Sequence, residues 1–302
     1  MEEIQREFGT RKTLTDPSKT AELVVLRRVS ESLRPEEERI CYDPYAVRFI
    51  DPAILAAARE HPEERKKKAL EVERVFPGLA GSIVARVRYF DDFVTTVAAT
   101  GIPQVVILGA GYDSRAYRIP GLAGVRVFEV DHPLTQRIKK ERVRGIFGTL
   151  PDHVAYVPAD FGRDSLFDTL DAAGYTRTLP TLFILEGLTM YLSPVIVDDI
   201  FSFIVRNSGK GSVVLFDYYP LSLVDGTDTR QIAGNIREFS KGAGEPIQFG
   251  VPDGEIAGFL ADRGFVEIRS VTSEEYRALY FDGKKAGRLT TDLIAFAVAR
   301  VP

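Results

Sequence analysis

Three carboxylates in this 302-residue chain stand where chemistry could be done. Asp131 closes the apolar run Val125-Arg126-Val127-Phe128-Glu129-Val130, Asp160 closes Val157-Pro158-Ala159, and Glu186 closes Leu182-Phe183-Ile184-Leu185. A fourth run, Val105-Val106-Ile107-Leu108, ends in Gly109-Ala110-Gly111-Tyr112-Asp113-Ser114. A glycine turn lets backbone approach a ligand closely, and an acid after the next strand can accept from ribose hydroxyls. Asp131 follows Gly109 by 22 residues, which suits that layout. Asp160 would accept from an exocyclic amine while Phe161 packs near the ring; before Phe161-Gly162 it is equally well a helix cap or a solvated strand edge. Glu186 follows a wholly apolar run, and burying a carboxylate there costs several kcal/mol unless a donor or cation meets it.

Which nucleoside fits follows from the turn. A dinucleotide site prefers a third glycine or alanine and a helix N-terminus for pyrophosphate. Here that position is Ser114, and Asp113 would repel a phosphate. A cationic nucleoside without phosphate fits better, and S-adenosylmethionine is one: a nucleoside, a sulfonium and an amino acid.

These residues need strands and helices to position them. Apolar runs predict strands at 104–109, 125–131, 154–159, 181–186, 212–217, 265–271 and 292–300. Helices are expected at 113–118, 134–147, 163–173, 194–207 and 253–263. The alternation gives an α/β fold: a seven-stranded, doubly wound, mostly parallel sheet of Rossmann-like type, whose last strand could return antiparallel. Residues 1–100 show no strand pattern and read as an N-terminal helical cap, with Asp43-Pro44 opening a short helix through Phe49 and a break at Pro77-Gly78. Residues 101–302 form the ligand-binding domain. Within it, 221–251 is an insertion too long for an ordinary link; Ile232, Ile236 and Phe239 give it one apolar helical face, suited either to a lid or to a fixed wall.

Composition narrows the classes. A net charge of −4 and an isolated Lys66-Lys67-Lys68 triplet among glutamates offer no nucleic-acid surface. Cys41 has no partner for a disulfide, and the three histidines lack metal-ligand spacing, so no metal is expected. No apolar run is long enough for a bilayer and the charged start lacks a signal-peptide core, so the expectation is a cytoplasmic protein with no membrane partner.

The run Leu108 to Arg115, then Phe128-Glu129-Val130-Asp131-His132-Pro133, Ala159-Asp160-Phe161 and Glu186-Gly187-Leu188-Thr189-Met190-Tyr191-Leu192 resemble the leucine carboxyl methyltransferase family. That family includes bacterial polyketide carboxyl O-methyltransferases. The likeness runs from about Thr20 to the C-terminus and takes in Arg28, Asp43-Pro44-Tyr45-Ala46 and Ala85-Arg86-Val87. It implies a class I methyltransferase fold with S-adenosylmethionine as cofactor. Arg86 would pair with the cofactor's carboxylate, and Arg28 matches the family's N-terminal basic position. Gly109 and Gly111 would line the methionyl and ribose region, Asp131 would take the ribose, Asp160 and Phe161 the adenine, and Glu186 the amino group. Without the resemblance, Arg86 reads as one surface charge on a charged helix beside Arg74 and Arg88. Tyr191 either borders the acceptor site or belongs to the core.

The expected activity is O-methylation by direct displacement. A carboxylate acceptor is already ionised and needs no base, whereas a phenol or alcohol usually needs one, and no base is evident. The favoured partner is a small-molecule carboxylate; a phenol or a protein C-terminal carboxylate are the alternatives, and the oligomeric state is unread. A nicotinamide oxidoreductase or a non-catalytic binding module are the readings from other classes.

Overall fold

The structure, a computed structural model, describes residues 19–302. The first 18 positions of the expected cap, the charged start among them, lie outside the described residues. Seven strands form one sheet: β1 Gln104–Leu108, β2 Arg126–Asp131, β3 Val154–Pro158, β4 Thr181–Leu185, β5 Val213–Tyr218, β6 Val266–Val271 and β7 Ala295–Arg300. Their order is β3-β2-β1-β4-β5-β7-β6, with β1 to β5 parallel and β7 antiparallel to both its neighbours. The order reverses between β1 and β4, so the crevice for a ligand opens at their carboxyl ends.

Every residue of β1 and β4 is buried, because helices cover both faces of a parallel sheet. Alternate side chains sort to opposite faces. Val105, Ile107, Leu182, Ile184 and Leu215 pack with Val84, Val87, Phe90 and Val94 of the helix Leu79–Ala98. Val106, Leu108, Phe183, Leu185 and Phe216 pack with Ile200, Phe201 and Ile204 of the helix Pro194–Arg206. In chain order the helices are α1 Lys19–Ser32, α2 Pro52–Glu60, α3 Pro62–Val75, α4 Leu79–Ala98, α5 Arg115–Arg118, α6 Pro133–Phe147, α7 Leu166–Ala172, α8 Pro194–Arg206, α9 Leu221–Asp225, α10 Gln231–Gly242, α11 Ile256–Ala261 and α12 Ser273–Tyr280. Although α4 precedes residue 100, it lies directly on the sheet, so packing is continuous across that position.

A third cluster docks α1 beside the glycine turn. It joins Val25 and Val29 to Ala46, Phe49 and Ile50, and these to Tyr112 and Val143. The helix expected after Asp43-Pro44 is a single 3-10 turn, Ala46–Phe49, started by the Asp43 carboxylate accepting from the Tyr45 and Ala46 N–H groups. The return to β7 is fixed by α12. Tyr276 is buried and its hydroxyl bridges Ser82 on α4 and the Thr291 carbonyl.

The 221–251 insertion leaves β5 and comes back pinned. Leu221 N–H donates to the Val251 carbonyl at 2.7 Å, and Val251 N–H to the Tyr219 carbonyl at 2.9 Å. Between those points α10 turns Ile236 into the core, and Ile232 and Phe239 pack against the same cluster.

Candidate active site

A cavity of about 530 Å³ opens at the carboxyl ends of β1, β2 and β4. Arg28, Arg86, Gly109, Gly111, Asp131, Asp160, Phe161, Glu186 and Tyr191 all line it, so the residues expected to meet the cofactor and the acceptor lie around one cavity.

The turn after β1 sets its floor. Gly109 has φ +65°, and a Cβ there would stand 2.8 Å from Leu188 Cδ1, so only glycine fits the backbone and the space. Asp131 is locked to the turn, accepting from the N–H of Gly111 and, at 2.6 Å, from that of His132. Burial outweighs these donors and nearby Lys139, and raises the pKa of Asp131. Beneath the turn Lys139 and Glu129 form an ion pair at 2.8 Å with both side chains 1% exposed.

A buried charge network ties the strand ends together. Arg28 donates to Asp43 at 3.0 Å and to the Tyr112 carbonyl at 2.7 Å. Asp43 also takes the Ser114 hydroxyl at 2.6 Å. Asp91 holds both Arg115 and Arg118. Arg115 reaches on to Asp113 and Glu186, and Arg86 closes the chain between Glu186 at 3.1 Å and Asp217 at 2.6 Å. Five carboxylates thus face four guanidinium groups in the network, leaving an excess negative charge. Among the described residues that line the cavity itself, Asp113, Asp131, Asp160, Glu186 and Glu245 outnumber Arg27, Arg28, Arg86 and Arg115, and such a lining favours a cationic ligand. Burial opposes charge on Glu186, yet Arg115 and Arg86 outweigh it and hold its pKa down. Against the same burial penalty, Arg115 and Lys139 hold Asp113 at about 2. Asp113 is therefore a carboxylate at the point where a dinucleotide would put its pyrophosphate. The four-residue α5 that follows offers no anion-binding helix terminus there.

Two expectations change in detail. Arg86 is a buried member of the network and not a surface charge. The amine expected to meet Glu186 would join two guanidinium groups already on that carboxylate. Asp160 caps its own turn through Gly162 N–H at 3.0 Å, and its side chain is 38% exposed, as the cap reading expects. Tyr191 lines the cavity while packing on the core, and burial holds its hydroxyl protonated.

Sequence reasoning gave Arg115 and Asp43 no role in the site and did not single out Asp91 or Asp217. Asp217 was within reach, because Val213-Val214-Leu215-Phe216-Asp217 has the same apolar-run-then-acid form as the other strand ends. Asp91 carried no such signal: it is one acid on a long helix.

The far half of the cavity is apolar. Val72 of α3 and Phe76 just after it, Leu79 and Ile83 of α4, Ile236 and Phe239 of α10, and Ile247 and Ile294 form its wall, with Tyr219 at the junction. Its edge is fastened where Glu245 accepts from the Thr20 N–H at 3.1 Å and hydroxyl at 2.6 Å. Among the described residues no cluster of three or more His, Cys, Asp or Glu could hold a metal. Among the described residues no helix is long and apolar enough to cross a membrane.

A family model for leucine carboxyl methyltransferase matches residues 21–205. A Bacillus subtilis protein named "Putative S-adenosyl-L-methionine-dependent methyltransferase YktD" is 28% identical over 79% of this chain and 77% of its own length. A Mycolicibacterium gilvum protein with the same name, less the last word, is 31% identical over 72% of each chain. Among solved structures, a DUF574 family protein from Streptomyces avermitilis superposes with a TM-score of 0.58 at 17% identity, covering 95% of this chain and 99% of that one. A Thermobifida fusca protein titled a "putative methyltransferase" gives 0.55 at 19%, covering 79% and 88%. Both structural likenesses are likenesses of fold, the mixed seven-stranded sheet of class I methyltransferases.

Proposed function

The chain belongs to the leucine carboxyl methyltransferase family, and from that membership we propose that it methylates a carboxylate of a small apolar molecule, using S-adenosylmethionine, by direct displacement. When bound, the cofactor supplies a methyl group on positively charged sulfur, which passes to an acceptor oxygen as the carbon–sulfur bond breaks and its electron pair stays on sulfur.

The residues present fit that cofactor. Asp131 would accept from the ribose hydroxyls beside the Gly109–Gly111 backbone, and Asp160 with Phe161 would flank the adenine. Glu186, held ionised, would face the amino group. Arg28 keeps a buried Nε without a hydrogen-bond partner among the described residues, and with Arg86 it would meet the carboxylate. The excess negative charge of the network offsets the sulfonium, and the apolar half excludes water from it.

The observation that carries the carboxylate reading is the absence of a free base in the cavity wall among the described residues. Burial keeps Tyr191 protonated and raises Tyr219 to about 12. Glu245 is tied to Thr20. His132, the one histidine in the wall, accepts from the Leu134 N–H at the start of α6. A carboxylate acceptor needs no proton removed, so orientation and dryness suffice.

The test pairs calorimetry with turnover. S-adenosylhomocysteine should bind and NADH should not, and a labelled methyl group should pass from S-adenosylmethionine to hydrophobic carboxylic acids as an alkali-labile ester. Binding of NADH in preference would replace this reading with the oxidoreductase one. Binding of S-adenosylhomocysteine with label on phenols only would move the acceptor class.

A further inference from the structure

Four arginines line the cavity among the described residues, and three are held in ion pairs: Arg28 with Asp43 and the Tyr112 carbonyl, Arg86 with Glu186 and Asp217, and Arg115 with Asp91, Asp113 and Glu186. The fourth, Arg27, has no hydrogen bond or ion pair among the described residues. It lies half-buried on the cavity face of α1, in line with Thr20, Leu23 and Val24 at helical spacing. Glu73 acts on it through space, and Glu73 Oε1 itself takes the Gly78 N–H at 2.8 Å. Glu73 stands on α3 between Val72 and Phe76, so Arg27 looks toward the apolar half. Burial weakens its charged form more than Glu73 restores it. A half-buried guanidinium without an acceptor is costly, and an anion entering the cavity would relieve that cost.

We propose that Arg27 is the acceptor-recognition residue: it holds the acidic head of a hydrophobic carboxylic acid whose body lies against Val72, Phe76, Ile236 and Phe239. This rests on the methyltransferase reading and adds the residue that selects the acceptor. One N–H to one carboxylate oxygen leaves the other oxygen free to attack. The methyl ester that results has no charge to pair with Arg27, so product is held less tightly than substrate. Arg27 thus gives both selection at entry and release at exit.

The test uses the full chain saturated with S-adenosylhomocysteine and titrated with decanoate and 4-phenylbutyrate, each against its own methyl ester. The acids should bind roughly tenfold or more tightly than the esters, the size of a charge-assisted hydrogen bond. Arg27→Gln should erase that preference while ester and S-adenosylhomocysteine affinities stay within about twofold, and Arg27→Lys should keep most of it. Acids that fail to bind, or an acid preference that survives Arg27→Gln, overturn the proposal. A drop in S-adenosylhomocysteine affinity in Arg27→Gln also overturns it and places Arg27 with the cofactor's carboxylate. Wild-type protein that does not bind S-adenosylhomocysteine refutes the methyltransferase reading beneath it, a separate result.

Discussion

The two halves of the cavity are built on opposite principles. At the strand ends, charges are dense and already paired, and backbone turns set every position. Toward α3 and α10, the wall is apolar, drawn from separate stretches of chain, with one guanidinium, that of Arg27, left without a hydrogen-bond or ion-pair partner among the described residues. On the proposed function, the first half is the receptor for the cofactor. The second shares few of its contacts and is the half that would meet the acceptor. Where cofactor chemistry is fixed and acceptor chemistry varies, that division lets one vary while the other holds.

Breaking the charged half should cost most. Arg86→Ala leaves Asp217, whose side chain is fully buried, and Glu186 with less compensation. Loss of one partner from a buried pair typically costs about 3–5 kcal/mol. Denaturant unfolding should show a loss of that order, and a change below about 1 kcal/mol would mean the network is not the scaffold of this half.

Acid should loosen the same half through Asp113. Its folded pKa of about 2 lies below the ordinary 3.8, so its stabilising effect is complete above 3.8 and is lost as pH falls from there toward 2. Wild type should lose about 2 kcal/mol across that window relative to Asp113→Asn, read by unfolding at stepped pH. Parallel curves for the two proteins would remove Asp113 from the account.

The apolar half should respond least. Glu245→Ala releases Thr20 from the insertion edge, a loss of about 1 kcal/mol for one hydrogen-bonded clasp. Hydrogen exchange should quicken roughly fivefold between 231 and 248 with S-adenosylhomocysteine affinity unchanged. Unaltered exchange there would make the insertion a static wall and not a lid.

The contrast also explains what the sequence made legible. Strand runs, the glycine turn and the acids that close β2, β3 and β4 are local patterns, because a parallel sheet aligns successive carboxyl ends along one edge. Asp131, Asp160 and Glu186 could be assembled before any coordinates. The ion network could not: Arg28 meets Asp43, and Arg86 meets Asp217 across 131 residues, through packing that no short spacing encodes. Arg86 shows this most plainly, since Arg88, two residues on, is exposed while Arg86 is buried. The acceptor wall was harder still, because Phe76, Ile236 and Ile294 share nothing but a direction. Only the apolar face of α10 announced itself, through Ile232, Ile236 and Phe239.

The central claim is that the charged half reads the nucleoside of the cofactor, with Asp131 as ribose acceptor. Calorimetric titration of S-adenosylhomocysteine into wild type and Asp131→Asn tests it directly. The account predicts a loss of about 1.5–3 kcal/mol in the variant, roughly ten- to a hundredfold in affinity, and, because burial raises the pKa of Asp131, wild-type affinity that weakens on acidification at a pH above the usual aspartate range while the variant's does not. Equal affinity in the two proteins at neutral pH would contradict it.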